Sequence, residues 1–177
     1  MKIIAIADTH GQHHNLKIQK GDILIHAGDV TQYGNEDELY DFLEWFGCQK
    51  PTFKVWIGGE HDWCLESTKL SRITDVRKKG IGTMVCLQNS SITINGFKIY
   101  GSPVTPYFRG MALNRERGKE IKVMWQKIPS DTDILITHGP PFGILDKGVG
   151  CEELLAKVIK VKPRLHIFGH VHQGFGV

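Results

Sequence analysis

Residues 22–29, Asp-Ile-Leu-Ile-His-Ala-Gly-Asp, hold the pattern from which the rest of the chain can be read: a short apolar run that stops at a glycine and an acid. The pattern occurs five times. Lys2–Ala7 (KIIAIA) runs into Asp8-Thr9-His10-Gly11, and Asp22–Ala27 (DILIHA) into Gly28-Asp29. Phe53–Ile57 (FKVWI) runs into Gly58-Gly59-Glu60-His61-Asp62. Asp133–Thr137 (DILIT) meets His138-Gly139-Pro140-Pro141, and Arg164–Phe168 (RLHIF) meets Gly169-His170-Val171-His172. Runs this short, rich in Ile and Val and bounded by glycine, read as strands rather than helices. Their near-continuous apolarity predicts sheets covered on both faces. Each polar cluster then falls at the carboxyl end of a strand, the edge at which open α/β sheets bind ligands.

Helical segments separate the strands. Asn35–Phe46 opens with Asn35 as N-cap and Glu38 three residues on, a capping-box arrangement, and Gly47 is placed to end it. Residues 114–127 carry Ile121, Met124 and Trp125 at helical spacing. Residues 151–160 repeat apolar positions at Leu154, Leu155, Val158 and Ile159 before Pro163. Ser91–Gly101 alternates β-formers around Asn95-Gly96, a pair suited to a type I′ hairpin turn. No repeat, low-complexity tract or linker interrupts the chain, so residues 1–177 are read as one domain.

Composition narrows the function classes. A chain of 177 residues buries a core without disulfides, and 41% hydrophobic with 23% charged residues excludes disorder. The net charge of +3, with no long Lys/Arg run, marks no nucleic-acid surface. Cys48, Cys64, Cys86 and Cys151 show no CxxC spacing, as expected of reduced thiols in a cytoplasmic protein. The apolar start is too short for a signal peptide or membrane span, so no membrane partner is expected.

The clusters supply Asp8, His10, Asp29, Glu60, His138, His170 and His172 as metal-ligand types, with His61 beside them. Imidazole with carboxylate suits Mn, Fe or Zn better than Ca or Mg. The set exceeds what one ion needs; two ions sharing a bridging carboxylate would use it. Such a pair, ~3.5–4 Å apart, suits in-line displacement at phosphorus by an activated water. An oriented histidine suits protonation of the leaving group.

Asp-x-His, Gly-Asp, Gly-x-His-Asp, Thr-His-Gly and Gly-His-x-His, in that order from position 8 to 172, resemble the five blocks of the calcineurin-like metallophosphoesterase superfamily. From Ile99 onward, IYGSPVTP, Arg117-Gly118, TDILITHGPP, Gly150-Cys151 and KPRLHIFGHVHQGFG resemble the class III phosphodiesterases called metallophosphoesterase domain-containing proteins. The resemblance implies an αββα four-layer sandwich: two mixed β-sheets packed face to face with helices outside. It also implies hydrolysis of phosphodiesters, cyclic nucleotides among them, with two divalent ions, manganese first and iron or zinc as alternatives. Asp8, His10, Asp29 and His172 would hold the first ion; Asp29, His138 and His170 the second, with Asp29 bridging. His61 would be the general acid and Asp62 its orienting partner.

Two departures stand out. Glu60 occupies the position of a family asparagine that ligates the second ion. It can still ligate, but it loses the amide donors and adds negative charge. A slow or non-catalytic metal-binding scaffold is therefore one alternative. Relatives also continue beyond the Gly-His-x-His block through further strands, whereas this sequence stops five residues after His172. An edge left uncovered invites self-association. A phosphomonoesterase shares all of the chemistry; a nuclease would want a basic stripe. His26 and His166, inside apolar strands, read as core or supporting histidines, and His13 and His14 as a solvated loop. Arg109 reads as surface charge. Arg117 and Trp63 are candidates for substrate contact.

Overall fold

The computed structural model describes residues 1–67 and 83–177. In chain order the elements are β1 (Ile3–Ile6), β2 (Ile23–Ala27), α1 (Glu36–Gly47), β3 (Phe53–Ile57) and the single turn α2 (Cys64–Ser67). They continue as β4 (Thr83–Cys86), β5 (Ser90–Ile94), β6 (Phe97–Ser102), β7 (Thr105–Pro106) and β8 (Asn114–Arg115). α3 (Lys119–Gln126), β9 (Ile134–Thr137), α4 (Glu152–Val161) and β10 (Leu165–Ile167) follow. One sheet runs β1-β2-β3-β4, and a second runs β10-β9-β6-β5.

Side-chain alternation along the strands explains the layering. Ile23, Ile25, Ala27, Val55 and Ile57 of the first sheet face Ile99, Ile134 and Ile136 of the second in one buried cluster. The opposite face of the first sheet presents Leu24 and Trp56 to Leu39, Phe42, Leu43 and Phe46 of α1. The second sheet presents Tyr100 and Leu135 to Ile121 and Trp125 of α3 and Leu154 of α4. The result is four layers, helix, sheet, sheet, helix. β2, β3 and β9 are covered on both faces, which is why their sequences scarcely alternate in polarity.

The structure corrects three expectations. Only the second sheet is mixed; the pairings among β1–β4 are all parallel, because crossovers such as α1 join them. The antiparallel pair comes from the β5–β6 hairpin, whose Asn95 and Gly96 both take positive φ, 51° and 82°, as the I′ turn requires. Double coverage fails at the edge strands β1 and β10, where Ala5 is exposed and Leu165 is 39% exposed. The helix predicted over 114–127 begins only at Lys119, since Gly118 has φ +80° and Asn114–Arg115 pair with Thr105–Pro106.

Before α1 the capping box forms as read: Glu38 N donates to Asn35 Oδ1 at 2.9 Å, and Asn35 N returns a bond to Glu38 Oε2 at 3.4 Å. The same carboxylate accepts from Tyr33 N at 3.0 Å, closing the loop that follows β2. Gly47 is the last residue of the helix, and Cys48 rather than the glycine takes the C-cap position. No helix among the described residues is long and apolar enough to cross a membrane.

Candidate metal centre

The loops after β1, β2, β3, β9 and β10 meet at one edge of the sandwich. Asp8, His10, Asp29 and His170 sit in left-handed backbone, with φ of 54°, 43°, 55° and 70°. Non-glycine residues adopt this conformation sparingly, Asp and His more readily than most, and such strain gathers at functional sites. Cross-loop hydrogen bonds hold it: Asp8 N to Gly28 O and His10 N to Asp29 O at 3.0 Å, and Gly169 N to His138 O at 2.9 Å. Glycine is required where carboxylates press on backbone. A Cβ at Gly59 would lie 2.3 Å from Asp29 Oδ1, and one at Gly169 would lie 2.5 Å from Asp8 Oδ2.

Backbone amides fix both carboxylates. Asp8 accepts from His170 N at 2.9 and 3.1 Å, and Asp29 Oδ1 accepts from His61 N at 2.9 Å. Asp29 Oδ2 is left 3.2 Å from His138 Nε2 and 3.8 Å from His10 Nε2. His10 Nε2 and His172 Nε2 are 3.4 Å apart, and His170 Nδ1 lies 3.5 Å from Glu60 Oε1. Ligand atoms of Asp8, His10 and His172 fall within 4.8 Å of one another, as do those of Asp8, Asp29 and His138.

Whether these residues suit a cation is answered by His138. Its Nδ1 donates to the Ala27 carbonyl at 2.9 Å, which turns the Nε2 lone pair toward the Asp29 carboxylate. That Nε2 is buried and has no hydrogen-bond partner; neither has Glu60 Oε2. His138 Nε2 and Asp29 Oδ2, both lone-pair bearers, face each other favourably only across a proton or a metal ion. Burial alone would lower the His138 pKa, but the Asp29 carboxylate outweighs it and pushes it up to about 10. Burial likewise works to raise Asp29, yet His138 dominates and holds it below the usual carboxylate range. Burial lowers His10, and burial together with His138 takes His170 down to about 4, keeping both as neutral imidazoles able to ligate. Glu60 is raised, by burial first and also by the Asp29 charge, a cost that a cation would remove. The donor set fits divalent manganese, iron or zinc.

The seven residues read as ligands are thus brought together, and His61 stands beside them, its ring 4.6 Å from that of His10. Asp62 is placed differently from the expectation. It is fully buried and accepts from Thr31 Oγ1 at 2.6 Å, Gly59 N at 2.8 Å, Thr31 N at 2.9 Å and Val30 N at 3.2 Å. Its side chain points away from its neighbour in sequence and ties the loops after β2 and β3 together. The His61 ring is held instead through Nδ1 at 3.0 Å from the carbonyl of Gln32, a residue with no sequence signal. Arg117 donates to the carbonyls of Gly150 at 2.9 Å and Val149 at 2.7 Å, so its guanidinium serves that loop rather than a phosphate. Trp63 is exposed next to His61 and Asp62, where an aromatic face is available.

His26 donates Nε2–H to Thr9 Oγ1 at 2.9 Å while its Nδ1 accepts from Gly28 N at 3.3 Å, linking the first two ligand loops. His166 bonds Thr137 Oγ1 at 2.8 Å, beneath His138. Both are supporting histidines, as read. His13 is not in solvent as expected: it is fully buried. Asn114, which carries no sequence signal because the helical pattern over 114–127 includes it, lies beside Glu60 and donates to Thr105 Oγ1 at 2.7 Å.

Residues 1–174 match the model for the calcineurin-like phosphoesterase. Metallophosphoesterase domain-containing protein 1 of Homo sapiens is 37% identical over 201 residues, 99% of this chain and 62% of that protein. A UPF0046 protein of Caenorhabditis elegans is 36% identical over 190 residues, 100% of this chain and 65% of its own length. The chain therefore spans a little under two thirds of these relatives. A crystal structure superimposes with a TM-score of 0.68 over 96% of this chain and 84% of its own, at 14% identity, a likeness of fold alone.

Proposed function

The chain belongs to the calcineurin-like phosphoesterase family, and from that premise we propose that it hydrolyses phosphodiesters at the edge where Asp8, His10, Asp29, Glu60, His138, His170 and His172 converge. The contact of His138 Nε2, buried and otherwise without a partner, with Asp29 Oδ2 carries the reading. Two divalent ions, manganese first, would supply Lewis acidity toward a phosphoryl oxygen and acidify water for attack.

The chain's own residues do the rest. Asp8, His10 and His172 form one group of donors, and Asp29 with His138 extends it across the gap between the sheets. The Gln32 carbonyl accepts from His61 Nδ1–H when that nitrogen carries the proton. In that arrangement a protonated Nε2 is the atom from which a leaving alkoxide would take its proton. His26 and His166 hold the ligand loops in register, and Asp62 clamps those after β2 and β3. A second reading, slow turnover with tight metal retention, is favoured by Glu60: its buried carboxylate repels an anionic substrate and offers no amide donor.

The test is hydrolysis of a bis-aryl phosphate by chelator-stripped protein with and without Mn²⁺, beside His61→Ala. Rates on aryl monoesters and on cyclic nucleotides then separate a diesterase from a monoesterase. Metal that binds without any turnover, even in Glu60→Asn, leaves the scaffold reading instead.

A further inference from the structure

His13, His14 and Asp41 form a second convergence of ligand atoms outside the site already described. His13 Nε2 lies 3.0 Å from Asp41 Oδ2; His14 Nε2 lies 3.0 and 3.1 Å from the two Asp41 oxygens. All three donors fall within 4.8 Å of one another. Consecutive residues ordinarily turn their side chains apart. Here a 3₁₀ turn, His13–Asn15, brings both rings to one carboxylate, 4.5 Å apart at 44°. Asp41 projects from α1, a rigid element, and His13 is packed against Phe42 and Trp45 of the same helix at 5.6 and 5.0 Å.

We propose that His13 Nε2, His14 Nε2 and an Asp41 oxygen form a peripheral site for one transition-metal ion of the zinc class, separate from the dinuclear centre and independent of the phosphoesterase reading. Two imidazoles and one carboxylate are the ligand set such ions take, usually with a fourth position left to water. Bonds of about 2.0–2.1 Å around a tetrahedral ion place ligand atoms somewhat over 3 Å apart, so the two His–Asp41 separations need to open by only a few tenths of an ångström. His13 is pre-organised: one ring face is fixed by packing, and burial keeps the imidazole neutral, the ligating form. His14 and Asp41, 60% and 54% exposed, leave the outer side open for entry. An ion there ties the turn to α1. The turn continues directly from the loop carrying Asp8 and His10 through Gln12 N to Thr9 O at 2.7 Å and Asn15 N to Gln12 O at 3.0 Å.

The test counts metal. Metal-stripped full chain is dialysed against buffered free Zn²⁺, and bound zinc is measured for wild type, His14→Ala and Asp41→Asn. Both replaced residues are largely exposed, and thermal melts confirm folding. Each variant is expected to bind one equivalent fewer, or that one at least about tenfold more weakly, while keeping the remaining equivalents. Equal stoichiometry and affinity in all three proteins overturn the proposal. So does loss of more than one equivalent, because the replacement then acts through the main centre.

Discussion

His138 Nε2 lies 3.2 Å from Asp29 Oδ2 in a space closed to solvent, while the ring's other nitrogen is committed to the Ala27 carbonyl. A bound cation must take the place a proton otherwise holds. Metal binding should therefore release protons, and affinity should rise with pH. Calorimetry in buffers of different ionisation enthalpy measures the release. His138→Ala should abolish tight binding; a variant that retains wild-type affinity would count against this arrangement.

Asp62→Asn tests a clamp rather than a polariser. The substitution turns one acceptor oxygen into a donor facing amides of Gly59 and Val30 or of Thr31. A loss of about 2–4 kcal/mol in folding stability is expected, read from denaturant midpoints. Unchanged stability with a shifted pH–rate profile would instead restore the role of orienting His61.

His61→Ala should matter in proportion to the leaving group. With a poor alkoxide leaving group the rate should fall by roughly 10²–10⁴, and with nitrophenolate by far less, because that anion departs without a proton. Equal losses on both substrates would remove His61 from proton transfer.

Glu60→Asn should raise turnover about tenfold or more by exchanging a buried negative charge for an amide donor. A rate that is unchanged or lower sinks the slow-turnover reading.

His26 and His166 fold as neutral rings, burial pulling them from the usual 6.5 to about 3 and about 4. Their contribution is fully present above 6.5. Below it the unfolded chain takes up protons first, so stability falls with pH at roughly 1.4 kcal/mol per unit per histidine, until the folded pKa is reached. Asp62, pushed up to about 6 by burial and by Asp29, works in the opposite sense. Comparing the pH dependence of unfolding in wild type and His166→Gln cancels the shared contributions. A shallower slope is expected in the variant.

What could be read from the sequence was local or chemical. The apolar runs of β2, β3 and β9, the Asn35–Glu38 box and the Asn95-Gly96 turn depend on residues close in the chain. The convergence of ligand-type residues could be recognised by residue type and by its place after strands. Side-chain direction could not. Asp62 adjoins His61 in sequence but bonds amides near Asp29, and His13 looks like loop polarity until α1 covers it. Residues 114–118 carry a helical pattern that Gly118 and the Asn114 contacts override. Each of these outcomes is decided by packing between segments far apart in the chain.

The proposed donors are divided between the two sheets. Asp8, His10, Asp29 and Glu60 follow strands of the first, while His138, His170 and His172 follow strands of the second; Asp8 and His170 are joined across 162 residues. A chain with one sheet assembled and the other still open cannot present the full set. Metal uptake must then come late in folding, after the slow long-range docking of the sheets. Metal bound there would fasten the two halves together, so global unfolding would have to wait for its release. Occupancy of the centre thus doubles as a record that the chain has finished folding.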